Sequence, residues 1–279
     1  MKILAPAKLN LCLYLGPRRD DGLHELCSLF EPLTLADPIQ IDERAPGEPD
    51  EVVCPGVDGE NLATKALAAL RERGWDAPPL RVQIEKRIPV AAGLGGGSAD
   101  AAAVLRLARS EVDDLTATAA GVGADVPSQL EPALALVGGA GERVERLPEP
   151  APHAVVLLPG GGGLSTAEVF AEADRLGLGR GAGELVELAS RLRVAAGAGA
   201  SPLAFAELLV NDLEPAARSL RPDIGEALEA LREADAPLAL LTGSGPTAFG
   251  LFDDLAVARA AARRLDRDDA IVCEAGRAP

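Results

Sequence analysis

The sequence predicts a two-domain chain that mixes strands with helices, and three observations support this. With 279 residues and 48% hydrophobic side chains, the chain can build one large core or two ordinary ones. Short runs with period-two alternation are interleaved with runs of helical spacing. Prolines then cluster at Pro148, Pro150 and Pro152, which sets a boundary near residue 150 and gives units of 1–150 and 151–279. Aromatic residues make up only 3%, so helix-rich layers are favoured over an aromatic-packed sandwich.

The first element is a strand. Leu9, Leu11, Leu13 and Leu15 point to one side and Lys8, Asn10, Cys12 and Tyr14 to the other, so one face enters the core. Lys8 and Asn10 share the second face, which in an ordinary half-buried strand is solvated. Arg18-Arg19-Asp20-Asp21-Gly22 reads as a turn, and residues 39–42 alternate again. Residues 61–73 have helical spacing through Leu62, Ala66 and Leu70, with Asn61 as N-cap and Gly74 as the stop. A third strand over residues 80–85 leaves through Lys86-Arg87-Ile88-Pro89.

Next comes Pro89-Val90-Ala91-Ala92-Gly93-Leu94-Gly95-Gly96-Gly97-Ser98-Ala99-Asp100, followed by an apolar helical pattern over residues 101–109. Glycine at four of the five positions from Gly93 to Gly97 lets the backbone take φ > 0 and approach a ligand closely. Loop N–H groups and the positive end of the following helix converge there, which makes an anion site. It is not a Walker A loop, because no Gly-Lys-Ser/Thr ends it. Nor is it a Rossmann fingerprint, since Ser98 takes the place of the third glycine. Taken alone, the loop also suits a linker and Ser98 a helix cap. Asp125, in Gly121-Val122-Gly123-Ala124-Asp125-Val126-Pro127, has two readings as well. It fits an N-cap ahead of a first-turn proline, or, beside Lys8, one half of a pair around a substrate hydroxyl.

In the second unit, residues 154–159 form a buried strand and Gly160 to Gly163 a turn. Thr166–Leu176 is a helix capped by Ser165 or Thr166. Residues 177–183 and 197–202 read as loose connections, and residues 224–234 as an amphipathic helix. Leu238–Leu241 and Ala248–Phe252 are strands flanking Thr242-Gly243-Ser244-Gly245-Pro246, before a closing helix over Leu255–Leu265. That segment is a tight turn, or a second set of N–H groups for phosphates.

Several classes are disfavoured. A net charge of −16 argues against nucleic acid, which needs clustered cations, but leaves a nucleotide open. No apolar run is long enough to imply a membrane span, and the opening Met1-Lys2-Ile3-Leu4-Ala5-Pro6 does not read as a secretory signal. Cys12, Cys27, Cys54 and Cys273 form no CxxC pair and have no zinc spacing. The expectation is a cytoplasmic protein with reduced thiols, monomeric or a weak homodimer.

Three segments in order carry a resemblance: Ala5-Pro6-Ala7-Lys8-Leu9-Asn10-Leu11, the run Pro89 to Asp100, and Leu241-Thr242-Gly243-Ser244-Gly245-Pro246-Thr247. Together they resemble the three signature motifs of the GHMP kinase superfamily. Asp21-Gly22-Leu23-His24-Glu25-Leu26, Glu60-Asn61-Leu62-Ala63, Gly123-Ala124-Asp125-Val126-Pro127 and Val210-Asn211-Asp212-Leu213-Glu214 are similar to members that act on diphosphocytidyl methylerythritol in non-mevalonate isoprenoid synthesis. The resemblance implies two α+β domains, each a mostly antiparallel sheet backed by helices, with the active site in the cleft between them. It implies an ATP- and Mg²⁺-dependent kinase for a small-molecule alcohol. Lys8 and Asp125 match its catalytic pair, and Asn10 a substrate contact. The loop from Gly93 through Leu94, Gly95, Gly96 and Gly97 to Ser98 and Ala99, with Pro89, matches the phosphate site, Ser98 lying close to Mg²⁺ or a phosphate oxygen. Asn61 and Lys86 fall where the family meets adenosine. His24 matches the reader of the cytosine edge and Phe170 an aromatic stacked on the base, while Gly243 and Ser244 join the substrate side. Leu23 stands where the family usually has Tyr, and Ser128-Gln129 where aromatic residues are expected. The segment from Ser98 to Asp125 is also shorter than the pattern. The competing expectations are a GHMP kinase for a homoserine- or mevalonate-like acceptor and a nucleotide-binding relative without activity.

Overall fold

The computed structural model describes residues 1–57, 59 and 61–279, so Glu60 of the motif Glu60-Asn61-Leu62-Ala63 lies outside the described residues. The chain opens with strands β1 (Lys2–Arg18), β2 (His24–Glu43) and β3 (Glu51–Val53), then helix α1 (Leu62–Glu72) and β4 (Leu80–Ile84). Helices α2 (Gly96–Leu105), α3 (Leu115–Val122) and α4 (Val126–Gln129) precede β5 (Ala135–Gly139) and β6 (Arg143–Arg146). After the prolines come β7 (His153–Leu158), α5 (Thr166–Leu176), α6 (Ala182–Gly197), α7 (Glu214–Leu220) and α8 (Asp223–Glu233). The chain closes with β8 (Leu238–Leu241), β9 (Ala248–Phe252), α9 (Leu255–Leu265) and β10 (Ile271–Ala275).

The fold is α+β. β2 is its spine, pairing with β1, β4 and β5 and touching β10 at Leu33–Ala275. The strands β10, β7, β9 and β8 form the other part of the sheet. All these pairings are antiparallel; among the described strands only β3 runs parallel to its neighbour, β4. Residues of α1, α2 and α3 bury a core with Ile39, Ile41, Val82 and Ile84 of the first part of the sheet. Residues of α5, α7, α8 and α9 do the same with Ala154, Val156 and Phe252 of the second. Another core joins Leu9 and Leu11 to Val155, Leu157 and Phe249, with α6 laid against it. Among the described residues no helix is long and apolar enough to cross a membrane.

Caps set several boundaries. Asn61 Oδ1 accepts from the Ala63 N–H at 2.8 Å and starts α1. Ser165 caps α5, and Gly177 ends it in the left-handed region at φ 69°. One expectation fails: the Lys8 face of β1 is not solvated. Lys8, Asn10, Cys12 and Tyr14 are 5%, 2%, 1% and 2% exposed. The reason is the second unit, whose Thr242 and Leu208 hydrogen-bond to Asn10 and Tyr14.

Candidate active site

The site is built outward from β1. The Lys8 ammonium, on a side chain only 6% exposed, meets Asn10 Oδ1 at 2.5 Å and Asp125 Oδ2 at 3.4 Å, and lies 4.7 Å from the centroid of the Phe30 ring. A buried cation is tolerable only with such partners. Asp125 occupies the N-cap position of α4, yet its side chain caps no N–H. The capping alternative therefore fails, and the carboxylate, 32% exposed, faces Lys8 with room for another group. Asn10 is fully engaged: Oδ1 takes Lys8, Nδ2 donates to Ser28 Oγ at 3.0 Å, and its N–H donates to Thr242 Oγ1 at 2.8 Å.

The two glycine turns close over this strand. The Lys8 N–H donates to Leu94 O at 2.9 Å. Gly95 has φ 68°, and a Cβ there would lie 2.7 Å from Lys8 Cγ. Gly93, at φ 77°, is pressed against the other turn, where a Cβ would sit 2.9 Å from Gly245 O and 3.1 Å from Thr242 O. Thr247 Oγ1 donates to Ala92 O at 2.6 Å, and a Cβ on Gly243 would come within 3.0 Å of Asn10 Oδ1. Asn211 Nδ2 holds the second turn through Leu241 O at 2.7 Å and Gly243 O at 2.8 Å. The three motifs that lie far apart in sequence thus meet at one point.

The helix after the loop begins earlier than expected, at Gly96, because the left-handed Gly95 serves as its N-cap. Its first internal bond runs from the Ala99 N–H to Gly95 O at 2.9 Å. The N–H groups of Gly96, Gly97 and Ser98 are left as first-turn donors, whereas Ala99 is buried and its donor is spent. Ser98 is not a cap, and its hydroxyl makes no hydrogen bond among the described residues. A cleft of about 460 Å³ opens here, lined by Gly93 to Ser98 with Asn61, Lys86, Pro89 and Thr166. Thr166 Oγ1 and Ser244 Oγ share a hydrogen bond of 2.9 Å at its edge.

Lys86 is clamped. Its ammonium bonds to Asp37 and, at 2.8 Å, to Asp100 Oδ2, both carboxylates being buried. Asp37 Oδ1 also accepts the N–H groups of Arg87 and Ile88 at 2.6 and 2.8 Å. Burial alone would lower Lys86, but the two carboxylates more than offset it and hold it above the usual lysine value. One cation between two carboxylates leaves a negative charge in excess. Asp100 gives way: burial, opposed by Lys86 and reinforced by Asp37, pushes it up to about 7.

A separate group gathers at the start of β2. His24 is buried, with Nδ1 3.1 Å from Gly16 O and Nε2 3.1 Å from Asp174 Oδ1. Its ring lies 5.6 Å from that of Phe170, tilted by 38°. Leu23 stands beside it, 54% exposed.

Sequence reasoning gave no role to Asp37 or Asp174, and considered Thr166 only as a helix cap, a position that Ser165 takes. Asp37 had a signal, a carboxylate inside an apolar alternating run, but its partner lies 49 residues away. Asp212 was quoted without a role; it holds Arg180 through both oxygens, at 2.5 and 2.8 Å. Among the described residues no cluster of three or more His, Cys, Asp or Glu side chains could hold a metal ion.

Family models for the N-terminal and C-terminal domains of GHMP kinases match residues 61–129 and 184–270. A 4-diphosphocytidyl-2-C-methyl-D-erythritol kinase of Mycolicibacterium gilvum is 41% identical over 88% of this chain and 80% of its own length. The protein of the same name from Xanthobacter autotrophicus is 39% identical over 95% of this chain and 94% of its own. A crystal structure of 4-(cytidine 5'-diphospho)-2C-methyl-D-erythritol kinase, 35% identical, covers 99% of this chain and 100% of its own with a TM-score of 0.80. A homoserine kinase structure from Cytophaga hutchinsonii, at 16% identity and a TM-score of 0.71, covers 99% of this chain and 94% of its own and shares the fold.

Proposed function

The chain belongs to the GHMP kinases, and from that premise we propose that it moves the γ-phosphate of ATP onto the 2-hydroxyl of 4-diphosphocytidyl-2-C-methyl-D-erythritol. The observation that carries this reading is the Lys8–Asp125 pair, 3.4 Å apart beneath two glycine turns. The acceptor comes from the relatives, which bear that kinase's name and are matched over 80%, 94% and 100% of their own length.

In this reading units 1–150 and 151–279 are the two lobes around the cleft. Asp125 takes the proton of the acceptor hydroxyl as the oxygen bonds to the γ-phosphorus; the bond from that phosphorus to the β-bridging oxygen breaks, and ADP leaves. Lys8 orients the attacking oxygen and offsets charge on the phosphoryl group. Asn10 acts through Lys8, since its amide is committed to Lys8 and Ser28. The first-turn N–H groups of Gly96, Gly97 and Ser98 hold phosphates at the positive end of α2. Mg²⁺ usually takes one or two protein oxygens and otherwise phosphates and water. The spare Ser98 hydroxyl fits that demand, and the ion would supply neutralisation of phosphate charge. Asn61 and Lys86 border the adenosine end, Lys86 as part of the wall rather than a free hand.

The cytosine is proposed to lie at His24 and Phe170, with Leu23 giving cover but no ring. Stacking on an aromatic is worth about 1–3 kcal/mol per base in nucleic-acid sites. Leu23→Tyr is therefore expected to lower the KM for the acceptor by roughly fivefold, the low end of that range, with kcat unmoved. Phe170→Ala raises it. If Leu23→Tyr raises KM and Phe170→Ala leaves it unchanged, the base lies elsewhere. The whole reading is tested by transfer of labelled γ-phosphate to the diphosphocytidyl acceptor, with homoserine and mevalonate in parallel. Transfer only to one of the latter, or to none, overturns it. Thermal protection by ATP and CDP is expected alongside.

A further inference from the structure

A second cavity, of about 340 Å³, is lined by Arg106, Arg109 and Arg146 together with Glu131 and Glu142. Both carboxylates are already engaged: Glu131 pairs with Arg109, and Glu142 with Arg19 at 2.9 Å. Among the described residues Arg106 and Arg146 make no ion pair. Their hydrogen bonds go to backbone carbonyls. Arg106 donates to Gln129 O at 2.8 Å and Leu4 O at 3.1 Å, and Arg146 to Ser128 O at 2.9 Å and Pro127 O at 3.4 Å. Arg146 Nη1 is shut off from solvent and has no partner among the described residues. Burial pushes both guanidinium groups below their ordinary value, helped at Arg106 by Arg109. In a chain of net charge −16, a cavity lined by three arginines and two carboxylates carries the opposite sign. A charged donor left unpaired is costly unless something meets it.

We propose that this cavity binds a small phosphate-class oxyanion between Arg106 and Arg146, and that its occupancy acts on Asp125 through α4. The planar guanidinium fork matches tetrahedral oxyanions in two-point fashion, and Nη1, sealed in this conformation, becomes a donor once the Arg146 side chain turns toward the cavity. The coupling follows from what the same two groups already hold. Pro127, Ser128 and Gln129 all belong to α4, whose N-cap is Asp125. An anion that draws the guanidinium groups toward itself competes for the donors that fix that turn. The binding site stands on the cavity alone; the coupling rests on Asp125 being the proton acceptor.

The test uses inorganic pyrophosphate as probe, titrated calorimetrically into protein saturated with Mg²⁺ and a nonhydrolysable ATP analogue. The expected result is one further site, weakened at least tenfold in Arg146→Gln and less in Arg146→Lys, which keeps charge but not the fork. No heat in the saturated wild type, or unchanged affinity in both variants, overturns the site. Should Arg146→Gln not fold, Arg146→Lys and Arg106→Gln carry the same comparison. Filling the site should change kcat at saturating ATP while leaving the KM for ATP in place; an unchanged kcat with the site filled overturns the coupling. Wild-type turnover in Asp125→Asn would instead sink the catalytic reading, and the calorimetric result would stand apart from it.

Discussion

Lys8 is buried and Lys86 largely so, both beside the first glycine turn, yet they are held in opposite ways. Lys86 sits between two dry carboxylates and has charge to spare on the negative side. Lys8 has a neutral amide, an aromatic face and one carboxylate at 3.4 Å that is one-third exposed. The first arrangement is saturated and fixes a loop to a sheet. The second leaves attraction unspent, so a phosphoryl group or a hydroxyl can enter without displacing an ideal partner. In the proposed mechanism, what separates the structural lysine from the chemical one is how completely the surroundings answer its charge, since burial alone does not distinguish them.

The comparison can be broken most severely at Asp37. Removing one partner of a buried pair costs about 3–5 kcal/mol, and Asp37→Ala also orphans the N–H groups of Arg87 and Ile88. Denaturant unfolding should show a loss of that order; a loss below about 1 kcal/mol would put the clamp in the class of surface pairs. Asp125→Asn is the opposite case. Turnover should fall about a hundredfold or more, equivalent to about 2.7 kcal/mol of barrier, with ATP binding and the thermal midpoint retained. A near wild-type kcat would falsify its role.

Adjacent glycines sharpen the contrast. A Cβ on Gly95 would strike Lys8 Cγ at 2.7 Å, whereas one on Gly96 would meet Ile88 Cγ2 at 3.0 Å and Lys86 Nζ at 3.1 Å. Gly95→Ala should therefore act mainly on kcat. Gly96→Val should weaken ATP by about tenfold, or ~1.4 kcal/mol, through space rather than backbone strain, because Gly96 is helical. Equal effects of the two on kcat would mean the lysines are not distinct. The smallest effect belongs to a third buried pair, His153–Glu31, 3.0 Å apart. Burial would lower His153, but the Glu31 carboxylate more than offsets it and holds it up. Its contribution to stability is complete below the unfolded value of about 6.5 and is lost as pH rises through the higher folded value. The wild-type thermal midpoint should fall over that window, and His153→Gln should flatten the fall.

Elements with local punctuation were legible in the sequence. Asn61, Ser165 and Gly177 bound their helices, and β8, β9 and α9 fall on the residues expected. The length of β2 was hidden because Glu31, Pro32, Asp37 and Pro38 interrupt its apolar pattern, and what makes those carboxylates tolerable lies far along the chain. Helix α6 was missed because glycine-rich flanks surround it and Val186 and Val194 face outward. At the site, the residue types and their motifs were readable and the contacts were not. Whether Asp125 caps its helix, or whether the Lys8 face meets water, depends on strands and turns more than a hundred residues distant.

The bond from Thr247 Oγ1 to Ala92 O has a consequence for how the cleft can open. With the Asn10 N–H on Thr242 and the Gly93–Gly245 approach, it rivets the floor of the cleft from both sides. A clamshell motion about the floor would have to tear buried hydrogen bonds that water could not replace until the gap was wide. The economical traffic route is over the rim, where Val90 is more than half exposed and Ala91 holds φ 55°. ADP would then leave over that exposed rim while the floor stays set for the next turnover.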